Sequence, residues 1–202
     1  MKRKLKKIER EVSIIMMKYP EKIADNCIIG VTSPSDGLHN GRKLLRLKNA
    51  IKNFNNIGYR ILETENTRKM DIVVSSSAKT RASEFVELWK NEDVKWIITT
   101  WGGEFLIEIL EHIDKDIIRN CVPKWVQGMS DTNILLFYLT TNFNIATVHG
   151  ENFGDFGREK IDTALLKTIE ILKNPKDNIQ NNYELYQLTD LAQEEGNELA
   201  RI

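Results

Sequence analysis

Two cysteines in 202 residues, Cys27 and Cys121, stand far apart and form no metal-binding spacing. They fit reduced, buried thiols of a cytosolic protein rather than a disulfide framework. An excess of one charge is absent as well. Lys+Arg and Asp+Glu both number 29, giving a formal net charge of zero. Nucleic-acid binders usually carry a basic excess, so no nucleic-acid partner is expected. No apolar run approaches the ~18 residues that span a membrane, so no membrane partner is expected. The opening "MKRKLKKIEREVSIIMMKYPEKI" is basic and then briefly apolar. Its apolar part, Val12–Met17, is too short for a signal-peptide core, and no small-residue cleavage site follows. An amphipathic surface helix is expected there, residues 1–24 forming an N-terminal extension. Internal repeats are absent, and histidine is scarce, with three in the chain.

What is present is an alternation of strand and helix signals. "NCIIGVT" is a short apolar run broken by the turn cluster "SPSDG". The next stretch carries Leu44, Leu47, Ile51 and Phe54 at helical spacing and stops at Gly58. Strands follow at 59–64, 94–100, 125–128 and 145–150, and helices at 78–91, 104–112 and after Ser130. A last helix places Leu165, Ile169 and Leu172 on one face. The near-continuous apolar run "VKWIITT" reads as a strand buried on both faces. This order predicts an α/β fold, a mainly parallel sheet between helices in a flavodoxin-like three-layer arrangement. Residues 25–173 form the main domain, and 174–202 read as a polar, Asn-rich linker.

Function in such sheets concentrates in loops at the carboxyl ends of strands. Four loops qualify: "SPSDG", "WGGEF", "GMSDT" and "HGENFGDFG". In the third, Ser130 stands at a strand-to-helix corner. A serine there is commonly a helix N-cap. It is also where a nucleophile elbow lifts a side chain above the sheet. Gly128, two residues earlier, suits a sharp turn that tolerates no Cβ. The second glycine of Gly-x-Ser-x-Gly is replaced by Thr132, so this is not the α/β-hydrolase pattern. The backbone N–H groups of Gly102, Gly103 and Asp131 are candidates for an oxyanion hole. A serine nucleophile also needs a base. Of His39, His112 and His149, only His149 ends a strand at the same edge. Trp101 reads equally as a pocket wall or as packing. The spacing of His149, Glu151 and Asp155 is irregular, and no metal is expected. The glycines and two phenylalanines of that loop suggest a substrate-facing or dimer-facing segment. Arg81 reads by default as part of a solvated helix face.

The ordered set "IIGVTSPSDG", "WGGEFLIEIL" and "PKWVQGMSDTNILLF" resembles the LD-carboxypeptidase and microcin-immunity serine peptidases. The resemblance covers about residues 20–170. It implies Ser130 as nucleophile and Gly102, Gly103 and Asp131 as backbone oxyanion donors. It further implies Ser33, Pro34, Ser35, Trp101 and His149 near the substrate, with His149 not the family's catalytic histidine. The implied activity is hydrolysis of an amide bond in a cell-wall peptide or in a peptidyl or aminoacyl conjugate. No cofactor is implied, and a cytoplasmic homodimer is. Family members run to roughly 300 residues, the size of two domains. Their catalytic Glu and His lie in the second. Nothing after Ile169 has an apolar strand ending in Glu, and no histidine follows His149. The chain is therefore expected to hold the nucleophile domain and a linker, and to be a very poor hydrolase alone. The rival readings are a non-catalytic binding module on the same fold, and a phosphate-binding domain with "SPSDG" at a helix start.

Overall fold

The computed structural model describes residues 16–175 and the isolated positions 179, 197, 199 and 200. Most of the expected N-terminal helix and nearly all of the expected linker therefore lie outside the described residues. Five parallel strands are present among them: β1 (Ile28–Thr32), β2 (Arg60–Glu63), β3 (Val94–Thr99), β4 (Trp125–Gly128) and β5 (Val148–His149). They pair in the order β2-β1-β3-β4-β5, the flavodoxin-like arrangement. The helices are α1 (Gly41–Asn56), α2 (Ala78–Lys90), α3 (Lys115–Asn120), α4 (Asn133–Phe143) and α5 (Thr163–Lys173).

Parallel strands need crossovers, and these put helices on both faces. One face packs Ile29, Val31, Trp96, Ile98 and Trp125 against α1 and α5. The other packs Val94, Ile97 and Val126 against α2, α3 and α4. The central strand β3 thus feeds both cores with alternate residues, which is why its sequence lacks polar alternation. Asn40 caps α1 by accepting from the Lys43 N–H at 3.1 Å, and Gly58 follows the helix at φ +93°.

The structure departs from the sequence reading at four places. Residues 16–24 are not helical. Pro20 lacks the N–H that a continuing helix needs, and the strap runs extended. Lys18 bridges Ile145, Ile23 is buried, and the Ile23 N–H donates to Leu172 O. The fifth strand is confined to Val148–His149, because Ala146 N donates to Lys18 O instead. The segment expected as a helix from 104 is a 3₁₀ helix, Leu106–His112. Finally, α3 carries no long apolar period and gave no sequence signal. Its start is set by Asp114, whose carboxylate accepts from the N–H groups of Asp116 and Ile117. Cys27 and Cys121 are free and half-buried. Burial pushes the Cys27 thiol up.

Candidate active site

The corner after β4 is built by close packing. A Cβ on Gly128 would lie 2.3 Å from both Thr99 Oγ1 and Thr132 Oγ1. Gly128 is thus required because two hydroxyls crowd it, not because its own φ is unusual. The unusual φ belongs to Ser130, at +63°. A non-glycine residue in the left-handed region is strained there. Ser130 is exposed and opens a 3₁₀ turn, Ser130–Thr132. It caps nothing. Neither that turn nor α4 has a side-chain cap, and Ser130 Oγ has no hydrogen-bond partner among the described residues. The corner is braced from outside by Asn152. Its Oδ1 accepts from Met129 N–H at 3.3 Å and Thr99 Oγ1 at 2.8 Å. Thr132 Oγ1 donates to Met129 O at 2.6 Å.

Gly102 faces the serine. A Cβ there would lie 3.0 Å from Ser130 Oγ and 3.7 Å from Asp131 N. The Gly102 carbonyl accepts from Asp36 N–H at 3.2 Å. A trans peptide sends its N–H opposite to its C=O, so the Gly103 N–H is directed away from Asp36. Gly103 sits at φ +156°, where an added Cβ would overlap Ser35 Oγ at 2.1 Å. Gly103 is therefore dictated by close approach, and Gly102 by a tight contact with the Ser130 side chain.

Ser33, Pro34 and Ser35 are buried and lie beneath the site rather than in its cavity. Ser33 Oγ bonds Thr100 Oγ1 at 2.5 Å, and Ser33 N–H donates to Asn66 Oδ1. Ser35 Oγ donates to Asp131 Oδ2 at 2.6 Å. With these groups committed inward, the loop is no phosphate cradle. Arg81, expected on a solvated face, is fully buried. Its guanidinium donates to the carbonyls of Pro34, Ser76 and Phe105 and to Glu108 Oε2. It joins three loop segments behind the site.

The cavity in front of Ser130 is about 600 Å³ and draws on all four carboxyl-edge loops. Asp36, Trp101, Gly102, Gly103, Ser130 and Asp155 are among its walls. Met70, Ile72 and Val73, which sequence reading passed over, form an apolar rim. Trp101 does line the cavity. Lys43 lies 5.4 Å above its ring, and Gly154 packs against it. His149 is exposed, ends β5 beside Gly128, and is not a wall of the cavity.

The loop after β5 faces inward where exposure was expected. Phe153 and Phe156 are fully buried, Phe153 stacked on Phe54 of α1 at 5.4 Å. Asn53 Nδ2 donates to the carbonyls of Phe156 and Arg158. This docking sets Glu151 and Asp155 on the cavity wall. Burial, and then the Glu151 carboxylate beside it, push the Asp155 carboxyl up to about 7. Asp36 and Glu104 add further acids, and no lysine or arginine is among the lining residues. Among the described residues no group of three or more His, Cys, Asp or Glu is arranged to hold a metal.

The parallel sheet and its carboxyl-edge cavity define a serine-peptidase-like α/β domain. Residues 29–150 match the family described as LD-carboxypeptidase N-terminal domain, and the chain belongs to that family. It is 36 % identical over 94 residues to the microcin C7 self-immunity protein MccF of Escherichia coli, covering 46 % of this chain and 27 % of that protein. It is 27 % identical over 128 residues to a putative carboxypeptidase of Treponema pallidum, covering 63 % and 37 %. Among solved structures, an MccF-like protein from Bacillus anthracis superposes with a TM-score of 0.65 at 30 % identity, covering 70 % of this chain and 43 % of that one. MccF in complex with aspartyl sulfamoyl adenosine superposes with a TM-score of 0.69 at 26 % identity, covering 83 % and 50 %. The chain thus spans half or less of the length of these relatives. No helix among the described residues is long and apolar enough to cross a membrane.

Proposed function

We propose that this chain carries the nucleophile and oxyanion half of a serine carboxypeptidase or amidase. Ser130 Oγ attacks an amide carbonyl, and its proton goes to a base and then to the departing amine. The carbonyl oxygen takes negative charge within reach of the Gly103 and Asp131 N–H groups. Water then hydrolyses the ester and restores Ser130. The observation that carries this reading is the exposed, unbonded Ser130 at φ +63°, packed against Gly102. Strained corners of this kind present nucleophiles.

The substrate class we assign is the one the family resemblance implies: an amide in a cell-wall peptide, or in a peptidyl or aminoacyl conjugate. A cytoplasmic homodimer without a cofactor fits the same reading. No base contacts Ser130 among the described residues, so this chain by itself is expected to turn over poorly. Loss of general-base help costs about 10²–10⁴-fold.

That missing contact also supports a second reading, a binding module that keeps the cavity without turnover. One experiment separates the two. A fluorophosphonate probe should label the wild type once, at Ser130 and slowly, since no base among the described residues contacts it, and Ser130→Ala should abolish labelling without lowering Tm. A wild type that stays unlabelled while still binding an aminoacyl nucleotide would favour the binding module.

A further inference from the structure

The carboxylate of Asp131, next to the nucleophile, turns away from its own corner. Its Oδ2 accepts from Ser35 Oγ at 2.6 Å and from the Leu106 N–H at 2.9 Å. These donors come from the loop after β1 and the loop after β3, 96 and 25 residues away. They bracket the Gly102–Gly103 turn. Ser35 lies directly under Gly103, and Leu106 begins the 3₁₀ helix that ends this loop. On the opposite side Asp36 N–H holds the Gly102 carbonyl. The turn is thus fixed at its carbonyl, beneath Gly103 and at its downstream end. Two of those three restraints run through one oxygen of Asp131.

Given the acyl-transfer reading, on which this rests, we infer that the Asp131 carboxylate is a positioning residue. It locks the Gly-Gly turn to the serine corner, so that the oxyanion donors and Ser130 Oγ keep one register. It acts as a hydrogen-bond acceptor and takes no proton from the serine. An oxyanion hole works only with donors fixed about 2.7–3.1 Å from the developing charge, and a shift of about 1 Å can cost 10²-fold. The backbone N–H of Asp131 and its side chain therefore serve the same step in two ways, one as donor and one as clamp.

The test uses the full chain and the rate at which a fluorophosphonate labels Ser130, where the Oγ–P bond forms and fluoride leaves. Asp131→Ala and Ser35→Ala should each slow labelling about 10–100-fold, and Asp131→Ala should speed hydrogen exchange at Leu106, whose N–H loses its acceptor. Combining them should add little to Asp131→Ala, since both cut the same link. Asp131→Asn should restore most of the rate lost in Asp131→Ala, because an amide oxygen accepts both bonds. If Asp131→Asn is as slow as Asp131→Ala, charge matters rather than acceptance and the clamp is overturned. Unchanged labelling in both alanine variants overturns it too. Should Asp131→Ala fail to fold, Ser35→Ala, which removes one hydroxyl, decides. A wild type that never labels brings down the nucleophile reading. The clamp itself then falls if exchange over residues 101–106 is the same in wild type and Asp131→Ala.

Discussion

Single residues at the site carry opposite chemical demands. Ser130 is strained and free, while Ser33, Ser35, Arg81 and Asn152 around it are committed to hydrogen bonds. Asp155 shows the cost of placing a carboxyl where the loop after β5 folds inward. Burial, the Glu151 charge and a hydrogen bond to Glu151 raise it to about 7, while Arg158 and Arg46 pull it down. The unfolded carboxyl ionises near 4. Between pH 4 and 7 the folded state therefore holds the extra proton. Stability from this group is present at low pH and is lost as pH rises through about 7. Asp155→Asn should flatten that slope, raising Tm at pH 8 by roughly a few degrees and changing little at pH 4. Thermal melts from pH 4 to 8 check this, and a slope that survives the substitution belongs to another group. The candidate serine and its glycines were legible, because Gly, Ser and Asp have strong local turn preferences. Asn152 and the buried Arg81 were not. Apart from the Ser76 carbonyl, five residues before Arg81, their side-chain partners lie 20 or more residues away in sequence.

At the scale of elements, the corner after β4 depends on three threonine and glycine contacts more than on any helix signal. Gly128→Ala would push a methyl against Thr99 and Thr132. Overpacking of this kind costs about 1–3 kcal/mol, and the displaced Thr132 would release its bond to Met129 O. Urea unfolding should show that loss, and Ser130 labelling should fall with it. A variant with unchanged stability and labelling would mean the corner has slack. The loop after β5 teaches a related lesson. Its glycines and phenylalanines suggest a substrate-facing or dimer-facing segment in sequence. In space Phe153 and Phe156 complete an aromatic cluster with Phe54 and Trp96. Gly157 packs so closely on the Arg46 carbonyl that a Cβ would lie 1.9 Å away. Gly157 serves docking on α1, and Gly154 packs on Trp101.

For the whole molecule, the extended strap at 16–24 crosses from the β5 side to α5. It holds the Lys18 bridge to Ile145, the Glu21 carbonyl that accepts from Trp125 Nε1 at 2.8 Å, and the buried Ile23. It belongs to the fold and closes the core beneath the sheet. Ile23→Ala should cost about 2–5 kcal/mol, far more than an exposed residue of a separate extension would. Denaturant titration gives the number, and a loss under about 0.5 kcal/mol would make the strap a surface feature. The two cores on either side of one sheet make the domain a single three-layer unit, with all four carboxyl-edge loops facing the same cavity.

The sequence by itself determined the strand–helix order, the parallel sheet, the carboxyl edge where four loops gather and the serine corner. Each rests on local periodicity or on turn chemistry, and both are written in neighbouring residues. Tertiary structure alone decided that Ser33 to Ser35 lie under the site and that Asp131 reaches two other loops. It likewise decided that Arg81 is buried and that the strap at 16–24 is extended. Those outcomes depend on which distant groups meet across the sheet edge, and a buried polar group takes whichever partner the packing brings to it.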